Sequence, residues 1–71
     1  MPSYLCYFEI HVDDRTFYEH VVIEAESSDQ AFQILGANAE RGEHYHRQAK
    51  GVLGELSVIR ATNYMQLRPR L

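Results

Sequence analysis

Hydrophobic and polar residues alternate from Tyr4 to Val12, and this alternation predicts a first strand. Successive side chains of a strand point to opposite faces, so these residues divide into two rows. The apolar row consists of Tyr4, Cys6, Phe8, Ile10 and Val12. The other row is polar and aromatic, with Leu5, Tyr7, Glu9 and His11. We therefore expect one face of this strand to lie in the core.

A second alternating run follows the acidic segment Asp13-Asp14-Arg15-Thr16 and predicts a second strand. Its apolar row is Phe17, Val21, Ile23 and Ala25, with Glu19 as a misfit. A hairpin that closes symmetrically about Asp14-Arg15 brings the apolar rows of both strands onto one face. Its predicted pairs are Val12 with Phe17, Phe8 with Val21 and Cys6 with Ile23. On the other face the pairs are His11 with Tyr18, Glu9 with His20 and Tyr7 with Val22.

The segment Ser27-Ser28-Asp29-Gln30 predicts the start of a helix. A serine followed three residues later by glutamine is the capping box that satisfies free amides at a helix N-terminus. Phe32, Leu35 and Ala39 then form a narrow apolar stripe that can pack on the hairpin. Gly42 is a suitable residue just beyond the helix C-terminus.

The rest of the chain predicts less regular structure. Residues 43–51 have no clear period and are interpreted as a loop, with room for a further helical turn. Val52 to Ala61 predicts a third strand, and Tyr64 to Arg68 a short fourth one before Pro69. We therefore predict one α+β domain, residues 1–71, in which an antiparallel sheet of three to four strands in the order β-β-α-β carries one helix on one face.

Composition is that of a folded chain, with 45% apolar and 24% charged residues. The single cysteine, Cys6, argues against an oxidising compartment, where so short a domain usually carries several disulfides. No secretory leader or membrane span is recognisable, so we expect a cytoplasmic protein.

Charge is unevenly distributed along the chain. The net charge is −3, and nine of the ten acidic residues lie within residues 1–43. Most of the cations follow them: Arg47, Lys50, Arg60, Arg68 and Arg70. Such a basic surface is typical of contact with nucleic acid or with an acidic protein, although it also suits a solvated dipolar surface.

The segment 43-EHYHR-47 is the strongest candidate for chemistry. His44 and His46, with Glu43 as a third ligand, could hold zinc if this loop were extended, but no further ligand set accompanies them. Glu9 opposite His20 resembles an acid/base pair, yet a cross-strand ion pair is its ordinary role. Cys6 alternates with core residues and is expected to be an inert thiol. We therefore predict no enzyme, no cofactor and no metal site.

Binding to a protein fits the composition best, because tyrosine and arginine dominate interface hot spots and the chain has five tyrosines. The predicted contact residues are Tyr7, His11, Tyr18, His20, Tyr45, Arg47, Arg60 and Arg68. Two alternatives stay open. The basic C-terminal strands could bind RNA or DNA, and a second copy of the chain could cover the sheet face opposite the helix, giving a homodimer.

The order of two strands, the segment 22-VIEAESSDQAF-32, a helix and the strand 54-GELSVIRA-61 resembles very small bacterial and phage proteins. Among these it is similar to some anti-CRISPR inhibitors. The resemblance covers most of the chain but lies in pattern and size, so no residue's role is carried across. It implies a non-enzymatic inhibitor that occupies a surface of a larger nucleoprotein complex.

Overall fold

A computed structural model of the protein describes residues 1–58, which form an antiparallel sheet with a helix on one face. Along the chain the elements are β1 (Ser3–Val12), β2 (Arg15–Glu24), α1 (Ser28–Ala37), β3 (Glu40–Arg41) and β4 (Tyr45–Glu55). The strands lie side by side in the order β2-β1-β4-β3, and each neighbouring pair is antiparallel. The predicted α+β fold with the order β-β-α-β is confirmed.

The β1–β2 hairpin closes two residues away from the predicted register. Val12 pairs with Arg15, so Asp13 and Asp14 alone form the turn. Asp13 has a φ of 54°, a left-handed conformation that aspartate tolerates better than most side chains. Because the shift is an even number of residues, each side chain keeps its predicted face. The predicted pairs are wrong, but the division into two faces is right.

The core lies between α1 and one face of the sheet, here called the helix face. Its fully buried members are Cys6, Phe8, Ala25, Ala31 and Leu35. The residues partly buried around them are Tyr4, Ile10, Val21, Ile23, Ala49 and Val52. Burial raises the pKa of the Cys6 thiol, which favours the neutral thiol predicted for this position.

Helix α1 begins as the capping box predicts. Ser27 Oγ accepts a hydrogen bond from the Gln30 backbone N–H at 3.2 Å, and the Gln30 side chain accepts from the Glu26 N–H. The helix ends earlier than expected, at Ala37, where the Asn38 side chain caps the Ile34 carbonyl at 2.8 Å. Ala39 therefore lies outside the helix, and Asn38 rather than Gly42 follows the helix end.

The prediction of a loop over residues 43–51 is wrong from Tyr45 onward, because β4 begins there and pairs with β1. The β1–β4 register shifts twice, which leaves Lys50 and Leu53 as extra residues in β4. The predicted third strand is confirmed only for Val52 to Glu55, and the backbone at residues 56–58 is helical. The predicted strand from Tyr64 to Arg68 lies outside the described residues. No helix within residues 1–58 is long and apolar enough to cross a membrane.

Candidate functional site on the open face of the sheet

The sheet face opposite α1, here called the open face, collects most of the polar and aromatic side chains of β1 and β2. Glu9 lies between Tyr18 on β2 and Gln48 on β4, and His11 lies between Thr16 and His46. Because cross-strand partners share a face, these residues form one surface together with their alternating neighbours. Tyr18 and Val22 are 58% and 54% exposed, so the β2 side of this surface is open to solvent.

Glu9 occupies the centre of the open face and accepts contacts from three sides. His11 Nε2 is 3.2 Å from Glu9 Oε1, Lys50 Nζ is 3.6 Å from the same oxygen, and the Tyr18 hydroxyl donates to Oε2 at 3.2 Å. The hydrogen bond from His11, the charge of Lys50 and the hydrogen bond from Tyr18 lower the pKa of the Glu9 carboxyl. Glu9 is therefore an anion at neutral pH, and its oxygens are engaged by neighbouring donors.

His11 extends this network toward the end of the hairpin. Its Nδ1 lies 3.3 Å from Thr16 Oγ1. When Nε2 carries the proton and donates to Glu9, Nδ1 can accept a hydrogen bond from the Thr16 hydroxyl. The His11 ring also lies 6.4 Å from the ring of His46 on β4. The network thus joins all three long strands of the sheet.

Beside Glu9, Tyr7, Tyr18 and His20 form an aromatic cluster. The Tyr7 ring stacks on His20 with centroids 5.7 Å apart and an interplanar angle of 23°, and it meets Tyr18 at 6.2 Å and 55°. A Cβ at Gly51 would lie 3.4 Å from Tyr7 Cε1, so the glycine leaves room for the Tyr7 ring against β4. Aromatic pairs at these distances stabilise one another and hold the rings in a defined arrangement.

The segment 43-EHYHR-47 is divided between a turn and the start of β4. His44 Nδ1 is 3.3 Å from Asp13 Oδ1, and His44 Nε2 is 3.8 Å from Glu43 Oε2. His46 instead faces His11, across an open cleft of about 350 Å³ that these residues line together. Within residues 1–58, no three His, Cys, Asp or Glu side chains are placed to hold a metal ion.

Two further predicted contact residues lie on the other face of the sheet. Tyr45 and Arg47 are the register partners of Val12 and Ile10, which places them on the helix face. Arg60 and Arg68 lie outside the described residues. Among the described residues, the predicted contact residues that share one surface are therefore Tyr7, His11, Tyr18 and His20.

Arg47 has extensive contacts within the fold. Its guanidinium lies 3.9 Å from the centroid of the Phe8 ring and forms ion pairs with Glu19 at 3.0 Å and Glu40 at 3.8 Å. Its Nε is buried without a hydrogen-bond partner among the described residues, which is consistent with the guanidinium resting on an aromatic face. Arg47 also explains why Glu19, the polar misfit of the second strand, is tolerated on the helix face.

Two features of the open face were not predicted. The predicted pair of Glu9 with His20 is replaced by contacts of Glu9 with His11, Tyr18 and Lys50, because the hairpin register differs by two residues. Lys50 belongs to a segment interpreted as a loop, and the nearby register shift hides its face from any alternation pattern.

No protein-family model, curated protein or solved structure matches the chain.

Proposed function

We propose that the chain is a non-enzymatic protein-binding domain and that its contact surface is the open face around Tyr7, Tyr18 and His20. The observation that carries the proposal is the exposed aromatic cluster beside an engaged carboxylate. Aromatic side chains whose rings are already held in place lose little conformational entropy on binding and supply large contact areas.

The state of Glu9 supports binding rather than catalysis. A general base needs a pKa near the working pH and access to a substrate proton. Glu9 instead has a lowered pKa and hydrogen bonds from His11 and Tyr18. Cys6, the other candidate reactive group, is buried on the helix face.

Charge favours a protein partner over a nucleic acid. All ten acidic residues of the chain lie within residues 1–58, which hold only four of its seven lysines and arginines. On the open face Lys50 is paired with Glu9, and Arg47 is paired with carboxylates on the other face. Phosphate groups gain little from such a surface, because nucleic-acid affinity depends on unpaired cations.

A finer form of the proposal follows from the resemblance to small phage inhibitors. The small β-β-α-β fold agrees with that resemblance. The partner is then a protein subunit of a nucleoprotein complex, and occupation of its surface blocks the activity of that complex. This form predicts that capture of the partner survives nuclease treatment.

The proposal is tested by capture from extract with two variants of adjacent β2 residues. Tyr18 and Phe17 are 58% and 47% exposed and point to opposite faces. We expect Tyr18→Ala to weaken capture of a nuclease-resistant partner by about tenfold or more, as truncation of an aromatic hot spot does. Phe17→Ala should retain the partner.

Quantitative mass spectrometry of the captured proteins gives the measurement. Equal retention of the same partner by both variants would remove the open face as the contact surface. Loss of every partner on nuclease treatment would favour the nucleic-acid alternative.

A further inference from the structure

Strand β2 forms one edge of the sheet, and its outer side is free of any strand from residues 1–58. The strand runs for ten residues, Arg15–Glu24, and its pairing with β1 has no register shift. Edge strands are usually protected from pairing by prolines, bulges, short length or charged side chains, including charges that point inward. β2 contains neither proline nor lysine, its backbone is regular, and the inward charge of Glu19 is offset by its ion pair with Arg47, so the strand can accept another strand.

Apolar side chains are exposed on both faces of this edge. Phe17 lies on the helix face and is 47% exposed, while Tyr18 and Val22 lie on the open face and are 58% and 54% exposed. A ligand that docks on one face covers only one of these rows. A strand paired alongside β2 contacts both, because cross-strand neighbours interact on each face.

The sequence of β2 is complementary to itself. In an antiparallel pair related by a two-fold axis, opposed residues share a face only if their numbers are both odd or both even. β2 has ten residues, and two such registers pair about nine of them with the second copy. One register is centred on Glu19 and the other on His20. The first places two Glu19 carboxylates directly opposite each other, which is unfavourable.

The register centred on His20 avoids this repulsion. It places Tyr18 opposite Val22 of the second copy on the open face, and Phe17 opposite Ile23 on the helix face. Both are aromatic to β-branched pairs, which are among the favourable cross-strand combinations. All three exposed apolar side chains of β2 gain a partner in this arrangement.

We propose that β2 pairs antiparallel with β2 of a second copy of this chain, with His20 at the two-fold axis. The two sheets then form one continuous sheet, and the two clusters of Tyr7, Tyr18 and His20 meet at its centre. The dimer doubles the aromatic surface. The dimer proposal does not require the proposed function, because it depends only on the edge of β2.

The first test compares two lysine substitutions at equally exposed apolar residues. Val22 and Leu53 are 54% and 53% exposed, and they differ in backbone, because Val22 lies in the regular edge strand β2 whereas Leu53 is an extra residue at a register shift of β4. Sedimentation of the 71-residue wild-type chain should give twice the chain mass of 8.3 kDa. We expect Val22→Lys to sediment as a monomer, because its ammonium opposes Tyr18 of the second copy, and Leu53→Lys to remain dimeric.

A wild type with the mass of one chain throughout the micromolar range would overturn the proposal, and so would dissociation by Leu53→Lys but not by Val22→Lys. Partner capture by a monomeric Val22→Lys variant would show that the proposed function does not need the dimer. A dimer that captures no partner would leave the edge pairing intact and refute the proposed function.

The second test fixes the register by oxidative cross-linking. His20→Cys places two thiols opposite each other, within the roughly 5.5 Å between Cα atoms that a disulfide spans. Tyr18→Cys places them four residues apart along the strand, about 13 Å, which is too far. The native Cys6 is fully buried and does not compete. We expect cross-linked dimers from His20→Cys alone, whereas cross-linking at position 18 and not at position 20 would overturn the register.

Discussion

The two faces of one sheet are stabilised in different ways. On the helix face, Phe8 of β1 packs with Leu35 of α1 and with other buried apolar residues, and this layer excludes water. On the open face, Glu9 and its donors form a network of hydrogen bonds and ring contacts that remains partly exposed. Burial of apolar area is the main source of stability, whereas exposed ion pairs contribute little. The helix face therefore maintains the fold, and the open face is available for contact.

Some residues depart from this division between an apolar and a polar face. Arg47 and Glu19 put charges on the helix face, where they pair with each other at 3.0 Å over the edge of the apolar core. Tyr7 and Tyr18 put aromatic area on the open face. Each face thus contains residues typical of the other, and substitutions at these positions show which contacts matter for stability.

The largest expected effect is that of shortening the core residue Leu35. We expect Leu35→Ala to lower the free energy of unfolding by about 2–5 kcal/mol, because a buried leucine leaves a cavity. A domain of this size often has only about 3–5 kcal/mol of stability, so the variant should be largely unfolded. Urea unfolding followed by circular dichroism gives the measurement.

Ile34→Ala is the matched control, because isoleucine has the same volume and Ile34 is 36% exposed against 0% for Leu35. Ile34→Ala should lower the free energy of unfolding by roughly half as much as Leu35→Ala or less, because Ile34 buries less apolar area. Equal costs would mean that α1 does not pack through Leu35.

A smaller effect is expected for the charged residue of the helix face. Arg47→Met should lower the free energy of unfolding by about 1–2 kcal/mol, because it removes the cation–π contact with Phe8 and the ion pairs. The loss is limited because Glu19 and Glu40 can return to water. Arg41→Met, at an exposed residue, should change stability by less than about 0.5 kcal/mol. Equal effects of the two variants in urea unfolding would mean that Arg47 does not stabilise the helix face.

The smallest expected effect concerns pH and the open face. The folded-state pKa of Glu9 is lowered, so its stabilising contribution is fully present above the ordinary carboxyl range and is lost as pH falls through the folded pKa. His11→Ala should raise that pKa toward its ordinary value, because the hydrogen bond from His11 is the main cause of the shift. NMR titration of the Glu9 carboxyl carbon gives the measurement.

His20→Ala serves as the control for this titration. His20 stacks on Tyr7 and is not among the groups that lower the pKa of Glu9. In His20→Ala, the titration midpoint of the Glu9 carboxyl should therefore equal that of the wild type. A shift of similar size in both variants would indicate that the network extends through the aromatic cluster.

The sequence was sufficient to predict which face each residue of β1 and β2 occupies, because alternation depends only on the backbone. It also predicted the start of α1, since Ser27 and Gln30 act through local hydrogen bonds. The hairpin register was not predictable, because it depends on the conformation that Asp13 adopts in the turn.

The first part of β4, from Tyr45 to Gly51, was not predicted as a strand for a different reason. The register shifts around Lys50 and Leu53 change which residues point to each face, so the period of two is lost. Arg47 is a charged residue on the helix face, so it also interrupts the alternation of apolar and polar residues. Its partners Glu19 and Glu40 are distant in sequence. Four of the predicted contact residues lie together on β1 and β2, as alternation predicts, whereas the role of Lys50 depends on strand pairing that the sequence does not reveal.

The burial of Cys6 gives the wild-type protein its own reporter of conformational opening. The only cysteine of the chain is fully inaccessible and has a raised pKa, so a thiol reagent can modify it only when β1 separates from α1 or a neighbouring strand. The rate of alkylation under native conditions thus measures how often the sheet opens, without an introduced label. Compared with global unfolding, it distinguishes local separation of the layers from loss of the whole fold.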